Sequence, residues 1–175
     1  MGGFQTPLYE LSEYLKWAEL GGKIQLPDFQ RGYKWEDERI RQLLVTVLRG
    51  HPLGVVMLLN TGNDQIRFKP RPIEGTNVPT GTHAESLLLD GQQRLTSLTQ
   101  ALTADGVVHT MDSRGKRMDR RYFIDMHLAV QGEDRIDEAV LSLPGDGIER
   151  INFGKKTLSA TFLHLKSSGP WVCFR

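Results

Sequence analysis

The fold of this chain is decided by Leu87-Leu88-Leu89-Asp90-Gly91-Gln92-Gln93-Arg94-Leu95-Thr96-Ser97-Leu98, in which an apolar run ends in a polar cluster. The leucines at the start predict a buried strand, and the later leucines recur at the spacing of one helix face. Gly91 permits a tight turn between strand and helix, because glycine has no side chain to restrict its backbone. We therefore predict that the polar cluster lies at the N-terminus of a helix.

Such a cluster has the chemistry of an anion site. The first N–H groups of a helix have no partner within the helix, and the positive end of the helix dipole attracts negative charge. Arg94 can clamp a phosphate with two parallel hydrogen bonds, and the amides of Gln92 and Gln93 can orient water, ribose or a base. Asp90, at the end of the strand, could hold a magnesium ion or polarise a water molecule.

A purely structural explanation of the same residues stays open at this point. Junctions in which Asp-Gly joins a strand to a helix are common, and short motifs have many false positives. Asp90 could cap the helix, and Arg94 could pair with a neighbouring carboxylate. The segment alone therefore does not decide between a phosphate site and an ordinary helix start.

A second cluster of polar and aromatic residues stands upstream, between two segments of helical pattern. It reads Leu26-Pro27-Asp28-Phe29-Gln30-Arg31-Gly32-Tyr33-Lys34-Trp35; we call residues 28 to 35 the upstream motif and residues 90 to 94 the DGQQR motif. A lone charge beside apolar residues is costly, so Arg31 is expected to have a partner. That partner is equally well a ligand phosphate or the carboxylate of a structural ion pair. We predict that the two motifs share one cleft, with Gln30 and Arg31 within side-chain reach of Arg94 or Asp90.

The aromatic residues of the upstream motif have two explanations. Phe29, Tyr33 and Trp35 could wall a pocket that stacks a base or accepts a modified DNA group, since aromatic faces suit stacking. They could equally belong to the core, and Trp35, just before a helix, is predicted to be a packing anchor. The hydroxyl of Tyr33 is expected to face a ligand or solvent.

Together the two motifs resemble the DGQQR-motif family of defence proteins. The resemblance rests on Pro-Asp-Phe-Gln-Arg-x-Tyr-x-Trp, a helix, Gly50-His51-Pro52-Leu53-Gly54, and then Leu-Asp-Gly-Gln-Gln-Arg-Leu-Thr-Ser-Leu, in the family's order over residues 8 to 104. The family includes the N-terminal domains of GmrSD-type modification-dependent restriction enzymes and of phosphorothioate-sensing SspE proteins. Gly32 departs from the family pattern, and a glycine there would loosen the loop.

The resemblance implies an α/β fold of the ParB/sulfiredoxin-like type, with a small mixed sheet and flanking helices. It also implies nucleoside triphosphatase activity that regulates a DNA-cleaving domain. The implied partners are a nucleoside triphosphate, DNA that carries a modification, and a nuclease domain or partner chain, with magnesium as the cofactor. No nuclease signature is visible in this sequence.

Matched by position, the residues divide into two groups. The implied catalytic residues are Asp90, Gln92, Gln93 and Arg94, and those that bind nucleotide or a DNA modification are Gln30, Arg31, Tyr33 and Gly91. In the expected mechanism Arg94 and the helix N-terminus hold phosphate charge, one of the two adjacent glutamines positions the attacking water, and Asp90 orients magnesium or water. The alternative is a DNA-modification sensor that uses the same cleft without turnover.

Length and composition favour one intracellular domain. With 175 residues, of which 39% are hydrophobic, the chain is expected to form a single α/β domain over 1–175 with its core in 8–130. Its single cysteine, Cys173, excludes a disulfide framework and favours the reducing cytoplasm.

No secretory signal or apolar run of membrane-spanning length is seen, so we expect a soluble protein with no membrane partner. The abrupt tail from Ser167 suggests a truncated family member. The scattered histidines show no zinc-ligand spacing.

The formal net charge is only +1, but basic residues are unevenly distributed. One patch comprises Arg67, Lys69 and Arg71. The other crowds a predicted loop and comprises Arg114, Lys116, Arg117, Arg120 and Arg121. This second patch is either a solvated loop or a contact for DNA phosphate.

Hydrophobic periodicity predicts the remaining elements. Helices are expected at 12–20, 36–49 and 92–104, a buried strand at 55–59 with a hairpin partner at 65–69, an exposed loop at 70–84, a short strand at 107–108 and a half-buried strand at 121–128. The residues expected in the core of the first two helices are Leu11, Leu15, Ala18, Ile40, Leu43, Leu44, Val47 and Leu48.

Overall fold

A computed structural model describes residues 6–19, 21–62, 68–103, 105–146, 148–151, 154–157 and 162–164, and beyond residue 148 it describes the backbone alone. The helices are α1 (Leu11–Glu19), α2 (Asp37–Leu48), α3 (Gln92–Leu102), α4 (Met126–Ala129) and α5 (Ile136–Ala139). The strands are β1 (Ile24–Pro27), β2 (Met57–Asn60), β3 (Pro70–Arg71), β4 (Ser86–Asp90), β5 (Val108–Met111), β6 (Arg117–Asp125), β7 (Val140–Pro144), β8 (Ile148–Ile151), β9 (Gly154–Thr157) and β10 (Phe162–His164).

The first sheet has the strand order β2-β4-β1-β3 and is mixed. Strands β1 and β4 are parallel, whereas β2 and β3 are antiparallel to their neighbours. The carboxyl ends of β1 and β4 therefore lie at one edge of the sheet, where β2 begins with Met57 opposite Asp90. The upstream motif follows β1 and the DGQQR motif ends β4, so the topology brings both motifs to this edge.

The second sheet is antiparallel and is organised around β6, which pairs with β5, β7 and β10. Strands β8 and β9 form a separate hairpin. Helix α3 contacts α1, α2 and β5 and so lies between the two sheets. This arrangement confirms the α/β class, and it is compatible with the ParB-like fold that the resemblance implies.

The core gathers apolar residues from α1, α2, α3 and both sheets. Its most buried members include Leu15, Leu26, Ile40, Leu44, Leu88, Leu98, Val108 and Tyr122. Helix α3 is buried almost all round, because even Thr96 and Ser97 are fully covered. The helix that carries the DGQQR motif is therefore a rigid central element.

The three predicted helices are confirmed as α1, α2 and α3, with ends within two residues of those expected. Of the predicted core residues, Leu11, Val47 and Leu48 are only half-buried, and Val45 is buried in addition. The short strand predicted at 107–108 is confirmed as the start of β5.

The buried strand predicted at 55–59 is wrong in its burial and bounds. The observed strand β2 (Met57–Asn60) lies at the edge of its sheet, and Met57 is 46% exposed. An apolar run alone does not distinguish an edge strand from a central one. Strand β2 pairs with β4, and most of the hairpin partner expected at 65–69 lies outside the described residues.

Two other predictions need correction. The segment 70–84 is not simply an exposed loop, since it begins with β3 and buries Ile73 and Ala84. The strand expected at 121–128 ends at Asp125, because the carboxylate of this residue accepts hydrogen bonds from the N–H groups of His127 and Leu128 and so starts α4.

Cys173 and the tail from Ser167 lie outside the described residues. None of the helices in the part of the chain that the structure describes is long and apolar enough to cross a bilayer.

Candidate functional site

The edge where β1 and β4 end carries an open polar cleft. Its lining residues are Gln30, Arg31, Trp35, Leu89, Asp90, Gly91, Gln92, Gln93 and Arg94. The cleft thus contains residues of both motifs, although about sixty residues of sequence separate them. The predicted shared cleft is confirmed.

Gly91 forms the turn into α3 with a positive φ of 89°. The positive φ favours glycine, and a Cβ at this position would also make a tight 3.2 Å contact with Cγ2 of Val56. No side chain caps the helix, which excludes the cap predicted as the alternative role of Asp90. The first-turn N–H groups of α3 therefore begin at the cleft without a side-chain acceptor.

Asp90 presents an exposed carboxylate at the mouth of the cleft, with 71% of its side chain accessible. Its Oδ2 lies 3.8 Å from Nη2 of Arg94. No group of three or more His, Cys, Asp or Glu residues that could hold a metal is found among the described residues. A magnesium ion at Asp90 would therefore need phosphate oxygens and water as further ligands.

Arg94 does not stand free as the predicted phosphate clamp. Its Nη1 donates to the backbone oxygen of Leu53 and its Nη2 donates to that of Val55 at 2.7 Å. Gly54 approaches the guanidinium so closely that a Cβ there would collide with it. Arg94 therefore fastens the loop before β2 to the start of α3.

The two glutamines of the DGQQR motif hold the upstream motif. Gln92 Nε2 donates to the backbone oxygen of Arg31 at 2.7 Å, and Gln93 Oε1 accepts from the N–H of Lys34 at 2.9 Å. Gln93 Nε2 is buried without a hydrogen-bond partner in the described part of the chain. Gln92 Oε1 likewise has no such partner among the described residues.

Gln30 of the upstream motif adds a hydrogen bond to the end of β4. Gln30 Nε2 donates to the backbone oxygen of Leu89 at 2.8 Å, so this side chain joins β1 to the end of β4. Arg31 is exposed, and its guanidinium makes no hydrogen bond or ion pair with a described residue. Of the two predicted roles of Arg31, the structural ion pair is therefore not formed within the described structure.

Tyr33 is placed differently from the prediction. Its hydroxyl forms a 2.8 Å hydrogen bond with Ser97 Oγ of α3, it packs against the core, and it is not among the residues that line the cleft. Burial raises the pKa of the Tyr33 phenol well above its ordinary value. The hydroxyl thus has an internal partner in Ser97, and the half-buried Tyr33 does not line the cleft.

Two further residues, Glu74 and Arg71, hold the upstream motif; the sequence predicted neither contact and placed Arg71 only in the first basic patch. The Glu74 carboxylate accepts the N–H of Tyr33 at 3.1 Å and lies 3.2 Å from Arg71 Nη1. Arg71 Nη2 in turn donates to the backbone oxygen of Gln30 at 3.1 Å. No sequence pattern marks either residue for this role, because each side chain forms its hydrogen bond with the backbone of a distant segment.

The other aromatic residues of the upstream motif have separate positions. Trp35 is half-buried and packs against the core, as predicted for a packing anchor, and it also lines the cleft. Phe29 is 59% exposed, and its ring lies 5.0 Å from that of Phe68 in an edge-to-face arrangement.

The second basic patch divides into two parts. Arg120 lies 3.5 Å from the Asp37 carboxylate, and Arg121 donates to the backbone oxygens of Gly145 and Asp105 at 2.7 and 2.6 Å. These two arginines belong to β6 rather than to a loop, and they hold neighbouring segments together.

The other three basic residues lie at the tip of the β5–β6 hairpin. The side chains of Arg114, Lys116 and Arg117 are exposed and make no hydrogen bond or ion pair within the described structure. The turn itself is built by Asp112 Oδ1, which accepts the N–H groups of Arg114 and Lys116 at 2.9 Å. In the first basic patch, Arg67 lies outside the described residues.

Comparison with known proteins gives one family and one relative. The family model described as the GmrSD restriction endonuclease N-terminal domain matches residues 11–146, which is well over half of the chain. An uncharacterized protein of Methanocaldococcus jannaschii is 32% identical over 130 residues, or 71% of this chain and 21% of that protein. The chain thus spans about a fifth of the length of this relative. No solved structure matches. The chain belongs to the family of the GmrSD restriction endonuclease N-terminal domain, a domain of DNA restriction systems.

Proposed function

We propose that this chain binds a nucleoside triphosphate with magnesium at the cleft and hydrolyses it, as the regulatory domain of an anti-phage system that restricts modified DNA. The observation that carries the proposal is the N-terminus of α3, which no described side chain caps and which begins at a cleft that also holds Asp90, with its exposed carboxylate, and Arg31, whose guanidinium has no partner among the described residues. A helix N-terminus beside a cation favours phosphate groups. Cytoplasmic location and DNA cleavage by a nuclease domain or partner chain belong to the same proposal.

In this proposal the phosphate-binding cation is Arg31 rather than Arg94. The guanidinium of Arg94 already donates to two backbone oxygens, whereas that of Arg31 has no partner in the described structure. The N–H groups of the first turn of α3 would supply the remaining donors. Arg94 then acts indirectly, because it fixes the loop that borders the site.

Asp90 is the residue that would hold magnesium. Magnesium in nucleotide sites is usually held by one or two carboxylates together with phosphate oxygens and water, and a single exposed carboxylate at the mouth of an anion site fits that pattern. The ion would supply positive charge that stabilises the phosphate oxygens. Asp90 would orient it or, without it, a water molecule.

Gln92 is the glutamine suited to position the attacking water. Its Nε2 is used by the backbone of Arg31, but its Oε1 has no partner among the described residues and can accept a hydrogen bond from water. Gln93 has its Oε1 used by Lys34 and its Nε2 buried, which favours a supporting role.

The proposal is tested by steady-state release of phosphate from each of the four nucleoside triphosphates in magnesium buffer. We expect turnover of at least one of them, and we expect Arg31→Ala and Asp90→Ala to lower kcat/KM at least tenfold, or about 1.4 kcal/mol of transition-state stabilisation. Arg39→Ala is the matched control, because Arg39 is an exposed arginine of α2 that does not line this cleft. Absence of turnover with all four nucleotides would overturn the enzymatic proposal.

A second candidate function, a DNA-modification sensor without turnover, is favoured by the free basic tip of the β5–β6 hairpin. Its three cations, which have no partner in the described part of the chain, provide contacts for a phosphate backbone, independent of any hydrolysis in the cleft. Binding of modified duplex by a protein that hydrolyses none of the four triphosphates would favour this candidate.

A further inference from the structure

Two phenylalanines form an exposed aromatic pair close to the cleft. Phe29 is 59% exposed and Phe68 is 40% exposed, and their ring centroids are 5.0 Å apart at an interplanar angle of 68°. Phe29 stands directly before Gln30, whose side chain lines the cleft and donates to Leu89. Phe29 follows β1 and Phe68 precedes β3, which pairs antiparallel with β1, so both phenylalanines lie at the sheet edge that carries the cleft, and neither is among the residues that line it.

The backbone that carries the pair is held in place. Asp28 donates its N–H to the backbone oxygen of Lys69 at 3.0 Å, and Gln30 donates to that of Pro27 at 3.1 Å. The first of these bonds joins the segment before Phe29 directly to the segment after Phe68. The two segments that carry the rings are thus joined by their backbones, and both rings remain partly exposed.

We propose that the pair Phe29 and Phe68 is the base-binding surface for the nucleotide whose phosphates occupy the cleft. This inference rests on the proposed function, because it requires that a nucleotide is bound there. A nucleotide combines an anionic chain with a planar aromatic base, and the ribose separates the two, so the base-binding surface must lie beside the phosphate site. Exposed aromatic rings at the sheet edge that also carries Arg31 and the start of α3 provide this combination.

The surroundings of the pair favour a small planar ligand over a protein partner. Asp28, Lys69 and Pro70 are exposed next to it, so the apolar surface is narrow and interrupted by charge. Stacking on an aromatic face is tolerant of base identity, because every base has a π face. The pair should therefore strengthen the binding of all four nucleotides to a similar degree.

The test compares nucleotides with inorganic triphosphate, which has the phosphate chain but no base. Dissociation constants of the full chain are measured in magnesium buffer by calorimetry for inorganic triphosphate and for non-hydrolysable analogues of the four nucleoside triphosphates. Phe29→Ala, Phe68→Ala and the double variant remove the rings, and Phe29→Leu keeps apolar bulk without a π face. Met57→Ala is the matched control, because Met57 is an exposed apolar residue on the β2 side of the same sheet edge.

We expect each alanine variant to weaken nucleotide binding about fivefold or more, the lower end of what stacking of one base contributes. Phe29→Leu should lose most of the same affinity, while binding of inorganic triphosphate stays within about twofold and Met57→Ala has no effect.

Three outcomes would contradict the inference in distinguishable ways. If the wild type binds nucleotides and the double variant binds them equally well, the base does not contact this pair. If the double variant weakens inorganic triphosphate as much as nucleotides, the rings support the phosphate site and bind no base. If the wild type binds neither ligand, the proposed function fails together with the base site.

Discussion

Replacing Arg94 and Arg31 one at a time should separate the anchoring of a backbone loop from the binding of phosphate. Arg94→Ala removes a guanidinium that holds the backbone of Leu53 and Val55, whereas Arg31→Ala removes a guanidinium with no partner in the described structure. We expect the first change to lower mainly the free energy of unfolding and the second to lower mainly nucleotide affinity.

The magnitude for Arg94→Ala follows from three contacts. A part-buried hydrogen bond from a charged donor to Leu53 contributes about 1.5–3 kcal/mol, and the more exposed bond to Val55 contributes about 0.5–1.5 kcal/mol. The pair with the exposed Asp90, at 3.8 Å, adds about 0–1 kcal/mol. The expected loss is about 3 kcal/mol, which for a domain of this size lowers Tm by about 6–12 °C.

Urea unfolding followed by tryptophan fluorescence measures the loss, with nucleotide binding measured on the same samples. Arg94→Lys should recover part of the stability, since an ammonium lacks the planar fork that reaches both oxygens. Arg31→Ala should stay within about 0.5 kcal/mol of the wild type while losing at least about tenfold in nucleotide affinity, or about 1.4 kcal/mol. If Arg94→Ala unfolds like the wild type and loses nucleotide binding, while Arg31→Ala binds normally, then Arg94 is the phosphate ligand and our reasoning is refuted.

Three further perturbations test other parts of the structure. Gly91→Ala should lower the free energy of unfolding by about 1–3 kcal/mol in a denaturant titration, because φ is positive there and a Cβ would lie only 3.2 Å from Val56. An unchanged midpoint would show that the turn can relax. Burial raises the pKa of Tyr122 in the folded protein, so its contribution to the free energy of unfolding is complete below a pH of about 10. The contribution is lost at higher pH, because the tyrosine then ionises in the unfolded state. Tyr122→Phe should therefore flatten the alkaline decline of stability when unfolding is measured as a function of pH. Charge reversal of Lys116 and Arg117 should weaken binding of modified and unmodified duplexes alike and reduce the salt slope by about one per lost contact, whereas an unchanged slope would mean that the hairpin tip is merely solvated.

The helices could be predicted because local pattern determines them, whereas the meeting of the two motifs depends on the pairing of two strands that are distant in the sequence. The apolar stripes of α1, α2 and α3 define helices whatever their neighbours are. The juxtaposition of Gln30 and the DGQQR motif follows from β1 and β4 being parallel, since motifs that follow parallel strands meet at one sheet edge.

The roles of individual arginines could not be predicted in the same way. Arg94 binds backbone oxygens of residues 53 and 55, and any residue type presents a backbone oxygen, so no sequence signal marks the acceptor. Arg120 and Arg121 appeared in one basic run with Arg117, but their roles are set by how β6 packs against α2 and the segments around Asp105 and Gly145. A run of like charges therefore predicts a surface only when its secondary structure is known.

The internal hydrogen bond of the half-buried Tyr33 could not be predicted from the sequence for a related reason. Its partner Ser97 is 64 positions away on a helix that is covered almost all round, and hydrophobicity scales give no indication that serine would lie in a core. The hydrophobic periodicity of a sequence does not show which polar residues lie on a buried helix, yet these residues decide which way neighbouring side chains point.

The hydrogen bonds that join the upstream motif to β4 and α3 link residues 59 to 64 positions apart. Contacts of such long sequence separation form late, because the entropy of closing a long loop must be overcome before they contribute. During synthesis the upstream motif leaves the ribosome about sixty residues before its partners exist. The cleft therefore exists only in a chain in which β1 and β4 have already paired, because its two motifs lie at the ends of these two strands.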